Sequence, residues 1–386
     1  MSLSLPDFPW DTLAGAKSRA AGHPGGIVDL SVGTPVEPTP DLIRDALAAA
    51  SDAHGYPQTW GTPDLREAVA AWFARRRGVA TLDPDGVLPT IGSKELVAWL
   101  PTLLGLRGRP VAFPAIAYPT YDVGARVAGC TPVPFEGLNE LGPTTAATRP
   151  GLIWVNSPSN PTGKVLGVAH LRKVVQWARA NGAVVASDEC YAEIDWRDDA
   201  ERLEQAGGAG HETEYQGVPS LLDPRVCDGD HTGLLVCYSL SKQSNLAGYR
   251  AAFVAGDPTL VGRLLEVRKH LGMMMPWPVQ RAMLAGLGDD AHVAAQVEVY
   301  RRRRGTLLSA IEATGGRVDD SRAGLYLWTT FGRDALATVD ALAERGILVA
   351  PGTFYGSRSG EHVRIALTAP DERIAAAASR LGERPL

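Results

Sequence analysis

Five apolar runs too short to be helices recur along the chain: VLPTIG (87–92), PVAF (110–113), LIWVN (152–156), AVVASD (183–188) and LLVCYS (234–239). Amphipathic stretches separate them, and that alternation predicts an α/β class, a mostly parallel sheet covered by helices. The helical stretches carry the expected punctuation. Thr39-Pro40 and Thr62-Pro63 read as N-cap and N1 pairs, while Gly78 and Gly182 close LREAVAAWFARRRG and HLRKVVQWARANG. A long charged segment beginning at Ala291 reads as a helix leaving the sheet, followed by the strand-like pieces GLYLWTT, GILVAPG and HVRIALT. These predict a smaller α+β domain, joined by the strand and turn of IVDLSVGTP near the amino end. The expected division is a large domain over residues 36–295 and a small one over 1–35 with 296–386. At 386 residues, 45% hydrophobic, the chain exceeds the length at which a single core stops growing, roughly 250–300 residues.

A formal net charge of −5, with both signs interspersed, offers no basic stripe for a phosphate backbone, so nucleic acid is not an expected partner. Cys130, Cys190, Cys227 and Cys237 form no C-x-x-C pair and no ligand spacing with histidine. Neither a zinc site nor a disulfide framework is expected, and a reducing cytoplasm fits best. The amino terminus lacks a basic start followed by an apolar stretch, and ELVAWLPTLLGL is too short to span a bilayer, so no membrane partner is expected either.

The strand candidates end in small or polar residues: Gly92-Ser93, Asn156-Ser157, Asp188-Glu189 and Ser239. In open α/β sheets the ligand crevice lies beyond the carboxyl ends of the strands, so these endings converge there or merely mark where strands leave the core. After the last run comes CYSLSKQSNLAGYR, with Lys242 eight positions before Arg250. An amine acts as a covalent nucleophile only when unprotonated, and burial beside another cation lowers its proton affinity. By itself the segment also reads as a surface loop with an ordinary lysine.

The pattern S-x-S-K-x(7)-R resembles the lysine segment of the class I/II aminotransferases of fold type I, which use pyridoxal 5'-phosphate. The resemblance implies a mostly parallel seven-stranded sheet in the large domain. It implies Lys242 as the cofactor's covalent anchor and later proton carrier, with Ser239 and Arg250 on the phosphate. Other segments match in the family's order. VVASDECY implies Asp188 facing the ring nitrogen and Tyr191 the phenolic oxygen; Asp188 alone also reads as a helix N-cap. NSPSNPTGKV resembles the N-x-P-x-N-P-T-G turn and implies Asn160 on that same oxygen and near the substrate. TIGSKEL implies Ser93 and Lys94 giving backbone donors to the phosphate at a helix start. In AYPTYDVGARVAG, Tyr118 matches the aromatic stacked on the ring, or is a core tyrosine. HVRIALT implies Arg364 clamping the substrate carboxylate, and SVGTP implies Gly33 close to substrate. YPQTWGTPDLREAV implies that Tyr56 reaches the phosphate of a neighbouring subunit, hence a homodimer with shared sites.

Longer runs, among them IGSKELVAWLPTLLGL and VRKHLGMMMPWPVQ, resemble the actinobacterial N-succinyldiaminopimelate aminotransferases of lysine and diaminopimelate synthesis. That resemblance implies transfer of an amino group between L-glutamate and N-succinyl-2-amino-6-oxopimelate. Another aminotransferase specificity, or a C–S β-lyase, uses the same cofactor machinery. A transcription regulator with an aminotransferase-like domain needs a DNA-binding unit ahead of SVGTP, for which about thirty residues leave no room. KHLGMMMPWP is either a wall of the substrate pocket or a core helix end, and AERLEQAGGAGHETEYQGVPS reads as a surface loop.

Overall fold

The computed structural model describes residues 5–142, 144–145, 147–208, 215–383 and 386. Thirteen strands appear among them: β1 Val28–Asp29, β2 Val87–Ile91, β3 Pro110–Pro114, β4 Thr131–Phe135, β5 Leu152–Asn156, β6 Val184–Asp188, β7 Leu234–Ser239, β8 Ala251–Gly256, β9 Arg317–Asp319, β10 Tyr326–Thr330, β11 Ile347–Leu348, β12 Ala350–Pro351 and β13 His362–Ala366. Seven form one sheet in the order β2-β8-β7-β6-β5-β3-β4, with β8 antiparallel to both neighbours and every other pair parallel. Alternate residues of β5 feed opposite faces: Leu152 and Trp154 pack in one core, Ile153 and Val155 in the other. That period-two division of a fully buried strand is what helices on both faces of a sheet require. The remaining strands form a four-stranded antiparallel sheet, β12-β13-β10-β9, and the parallel pair β1-β11. A third core, from Leu13 and Val28 to Leu381, brings amino- and carboxyl-terminal segments together.

All five apolar runs are strands of the large sheet. Two of its strands lacked a readable signal. In β4 the prolines Pro132 and Pro134 mask the pattern, and they are tolerated because β4 lies at the sheet's edge. In β8, AAFVAG begins directly after Arg250, at the end of the lysine segment's own turn over 247–250. Thr62 stands at an N-cap with Pro63 at N1, as expected, but the helix after Thr39 starts one residue later, at Asp41, with Pro40 at its cap. Gly78 (φ 67°) and Gly182 (φ 61°) close their helices in the left-handed region. The helix Ala291–Ala313 runs unbroken across residues 295 and 296. In the segment read as a surface loop, Asp199–Ala206 is a helix with a capping box between Asp198 and Glu201, and residues 209–214 lie outside the described ones. Among the described residues no helix is long and apolar enough to cross a membrane.

Candidate active site

Because β2, β5, β6 and β7 run in one direction, their carboxyl ends share an edge, and register places Asn156 opposite Asp188 and Asp188 opposite Cys237. A cavity of about 610 Å³ opens there. Eleven of the twelve expected site residues line it: Gly33, Ser93, Lys94, Tyr118, Asn160, Asp188, Tyr191, Ser239, Lys242, Arg250 and Arg364. Tyr56 does not, and is 96% exposed.

At the sheet end of the cavity, Gly92 joins β2 to the helix Ser93–Leu103, whose first turn has no side-chain cap. Gly92 adopts φ +82°, and a Cβ there would stand 2.0 Å from Nη2 of Arg250, so the guanidinium rests against bare backbone. Arg250 itself takes a left-handed φ of 55°, and its Nη1 donates to the Ala247 carbonyl at 2.9 Å. A non-glycine residue holds that conformation only where its surroundings impose it. The Ser239 hydroxyl donates to the Ala251 carbonyl at 3.1 Å and accepts from the Ser241 amide at 3.2 Å. Lys94 was expected to contribute through its backbone. Its side-chain ammonium lies over the faces of Phe8 and Tyr118, 5.4 and 5.6 Å from the ring centroids.

In mid-cavity, Asp188 Oδ2 accepts from the Tyr121 hydroxyl at 3.0 Å and Oδ1 from the Cys190 amide at 3.2 Å. Burial pushes the carboxyl's proton affinity up, and those two neighbours oppose the rise without cancelling it. Lys242 Nζ donates to the Gly33 carbonyl at 2.5 Å. Burial is also the main reason its affinity for a proton falls, with Arg364 and Arg250 adding to the effect against Tyr326 and Cys190. The amine is therefore readier to act as a base or nucleophile than a surface lysine.

Toward the antiparallel sheet, Arg364 is buried, its Nη1 donating to Asn160 Oδ1 at 2.9 Å and its Nη2 to the Ser31 carbonyl at 2.7 Å. A guanidinium can only donate, so the Asn160 oxygen faces it and the NH2 group stays available as a donor. The Asn156 side chain fixes this turn by accepting from the Asn160 amide at 2.7 Å. Four aromatic lining residues escaped sequence reading. Tyr121 lies three positions after the tyrosine that was singled out; Tyr326 lay in a segment recognised only as a strand; Phe8 and Trp10 precede any motif. The methionine run lines no part of the cavity among the described residues, and Met275 is buried in the main core.

A fold of this kind, with a lysine, a buried carboxylate and a buried arginine meeting at the sheet's carboxyl edge, defines a cofactor-dependent transferase of amino acids. A model of the family described as aminotransferase class I and II matches residues 26–381, and the chain belongs to that family. A probable aminotransferase of Mycobacterium tuberculosis is 58% identical over 99% of this chain and 86% of that protein. The 4-dedimethylamino-4-oxo-anhydrotetracycline transaminase OxyQ of Streptomyces rimosus is 54% identical over 98% of this chain and 99% of its own. Among solved structures, a probable N-succinyldiaminopimelate aminotransferase from Thermus thermophilus superposes with a TM-score of 0.82 at 29% identity, covering 97% of this chain and all of that one.

Aminotransferases of this family and fold use pyridoxal phosphate. The residues present fit it. An uncapped helix start, two serines and a guanidinium seated on a glycine can receive a phosphate dianion. A buried carboxylate at a strand end can face a ring nitrogen, and a lysine of lowered proton affinity can hold an aldehyde carbon.

Proposed function

We propose that this enzyme transfers the amino group of L-glutamate to N-succinyl-2-amino-6-oxopimelate, releasing 2-oxoglutarate and N-succinyl-LL-2,6-diaminopimelate. Bound pyridoxal phosphate supplies an electron sink that makes the substrate's Cα proton acidic. Ser93, Ser239 and Arg250 bind its phosphate, and Lys94 adds a backbone amide. Asp188 keeps a proton on the ring nitrogen, while Tyr191 and Asn160 donate to the phenolic oxygen and Tyr118 covers the ring face. Lys242 would hold the cofactor at rest and, when freed by the substrate amine, would serve as the base that takes the Cα proton. Arg364 grips the α-carboxylate bidentately, with Gly33 leaving room beside it, and so orients the C–H bond for removal. Tyr56, fully exposed in one subunit, reaches the phosphate of the partner in a homodimer. The large and small domains divide near residues 36 and 295, and the enzyme works in the cytoplasm.

The observation that carries this reading is the buried guanidinium of Arg364, held at 2.7 and 2.9 Å and lining the cavity with Lys242. Such a group wants a small carboxylate. The likeness to the Thermus thermophilus protein supports the succinylated substrate. The 54% identity to OxyQ favours a second reading, transamination of a 4-oxo-anhydrotetracycline. Purified enzyme given glutamate should release 2-oxoglutarate with the succinylated oxo-acid. Release only with the tetracycline ketone would establish the second reading, and pyruvate formed from cystathionine alone would defeat both.

A further inference from the structure

The contact between the Lys242 amine and the Gly33 carbonyl joins two segments 209 positions apart in the chain. The same segments meet again a few residues further along each. Three positions after the lysine, Asn245 adopts a left-handed φ of 56°, which asparagine tolerates better than most residues, and its carbonyl accepts from the Thr39 hydroxyl at 3.2 Å. Its side-chain amide donates to Gln296 Oε1 at 2.8 Å and reaches the Pro38 carbonyl at 3.4 Å. Gln296, buried on the helix Ala291–Ala313, donates through Nε2 to Glu37 Oε2 at 3.1 Å. Glu37 lies four positions after Gly33. Lys242, Gly33, Glu37, Gln296 and Asn245 thus close a circuit, and the glutamine is its one member from outside the two segments.

The chemistry of the partners fixes the direction of this circuit. Glu37 is ion-paired with Arg303, which also meets Asp371, and a carboxylate can only accept. Gln296 must therefore turn its NH2 group toward Glu37 and its oxygen toward Asn245, whose amide then donates. One turn earlier on the same helix face, His292 Nε2 meets the Ser244 hydroxyl at 2.8 Å, with Asp289 on Nδ1 at 2.7 Å. The helix holds the lysine's loop at two successive residues, and through Gln296 and Arg303 it holds the Gly33 segment as well. We propose that Gln296 is a positioning residue: by joining Asn245 to Glu37 it keeps the Gly33 carbonyl opposite Lys242, and so parks the amine whenever it is not bonded to the cofactor.

The inference rests on Lys242 carrying the chemistry, and its first test needs neither cofactor nor substrate. Trace labelling of the full chain with acetic anhydride across pH, followed by peptide mapping, gives the midpoint at which the Lys242 amine loses its proton. A carbonyl acceptor favours the protonated amine, so a variant that lets Gly33 drift lowers that midpoint. Gln296→Met, similar in shape but without a donor, and Gln296→Glu, which sets two carboxylates together, should each lower it by about half a unit, a threefold change in proton affinity. Combining Glu37→Gln with Gln296→Glu leaves the net charge unchanged and again faces a donor with a carboxylate, so the exchanged pair should return to the wild-type midpoint. The ionisable neighbours of the amine, Arg364, Arg250, Tyr326 and Cys190, are left in place by these substitutions. In turnover, Gln296→Met should lower kcat by about threefold to tenfold with KM nearly unchanged, because the freed lysine acts only after substrate has bound. Asp371→Asn, which removes only an exposed partner of Arg303, should change neither the midpoint nor kcat. A midpoint unmoved in both Gln296 variants, or one that stays low in the exchanged pair, overturns the proposal. Absence of a borohydride-reducible adduct at Lys242 in the wild type would sink the cofactor seating and leave the labelling result to decide this inference.

Discussion

At the sheet end of the cavity, Gly92 and Ser93 follow β2, and Ser239, Ser241 and Arg250 lie within 12 residues of one another at the end of β7, so two strand-to-loop junctions of a single sheet supply them. At the opposite end, Arg364 contacts Ser31 and Asn160, 333 and 204 positions away, and stacks on Tyr326 from a different strand. The first end is built from one sheet, in which the direction of the strands already aims its donors. The second exists only once the antiparallel sheet, the amino-terminal segment and the β5–β6 turn have docked. A rigid frame suits a group that stays bound; an end assembled from separate segments suits one that must enter and leave.

The contrast can be broken or sharpened by substitution. Lys242→Ala, which acts where the two ends meet, should reduce turnover by at least about 10⁴-fold and abolish the borohydride-reducible adduct, read by rate and by peptide mapping. Arg364→Lys should lower kcat/KM for amino acids by about 100-fold, since an ammonium cannot make the paired contact, while cofactor retention stays as in the wild type. Arg250→Ala should do the reverse, weakening cofactor binding by about 10- to 100-fold at nearly constant KM, measured by equilibrium dialysis. If either substitution moved both quantities together, the two ends would not be separable.

The smallest effect concerns the cofactor-free protein. Lys242 has its proton affinity lowered by burial, so between its folded value and the ordinary lysine range the unfolded chain binds a proton that the folded one does not. Folding stability from this group therefore rises with pH through that window, and the full penalty applies below it. Lys242→Met should raise the apo Tm by about 1–3 °C near neutral pH, with the gain fading as pH climbs toward the lysine range, by calorimetry.

What the sequence made readable follows the same division. The lysine, aspartate and asparagine segments are contiguous, so their resemblance to the family's motifs could single out Lys242, Asp188, Asn160, Ser239 and Arg250, all of which line the cavity. Arg364 was reached through resemblance, and nothing in HVRIALT told that Ser31 and Tyr326 would hold it. Tyr121 was invisible for a related reason. Its hydroxyl meets Asp188 from 67 positions away, a contact no local pattern signals, and a tyrosine buried beside Trp154 otherwise looks like core. β8 escaped because a strand antiparallel to its neighbours needs no crossover, so it begins where the motif stops.

The buried arginine also has a practical bearing at the bench. Two of its nitrogens are committed to Asn160 and Ser31, its Nε is buried without a partner, and the side chain lines the cavity; in the carboxylate-binding role proposed for it, acetate, formate or citrate from a preparation would compete with the substrate. Purification in such salts should then leave a competitive inhibitor behind, and an amine buffer free of organic acids should give the higher kcat/KM.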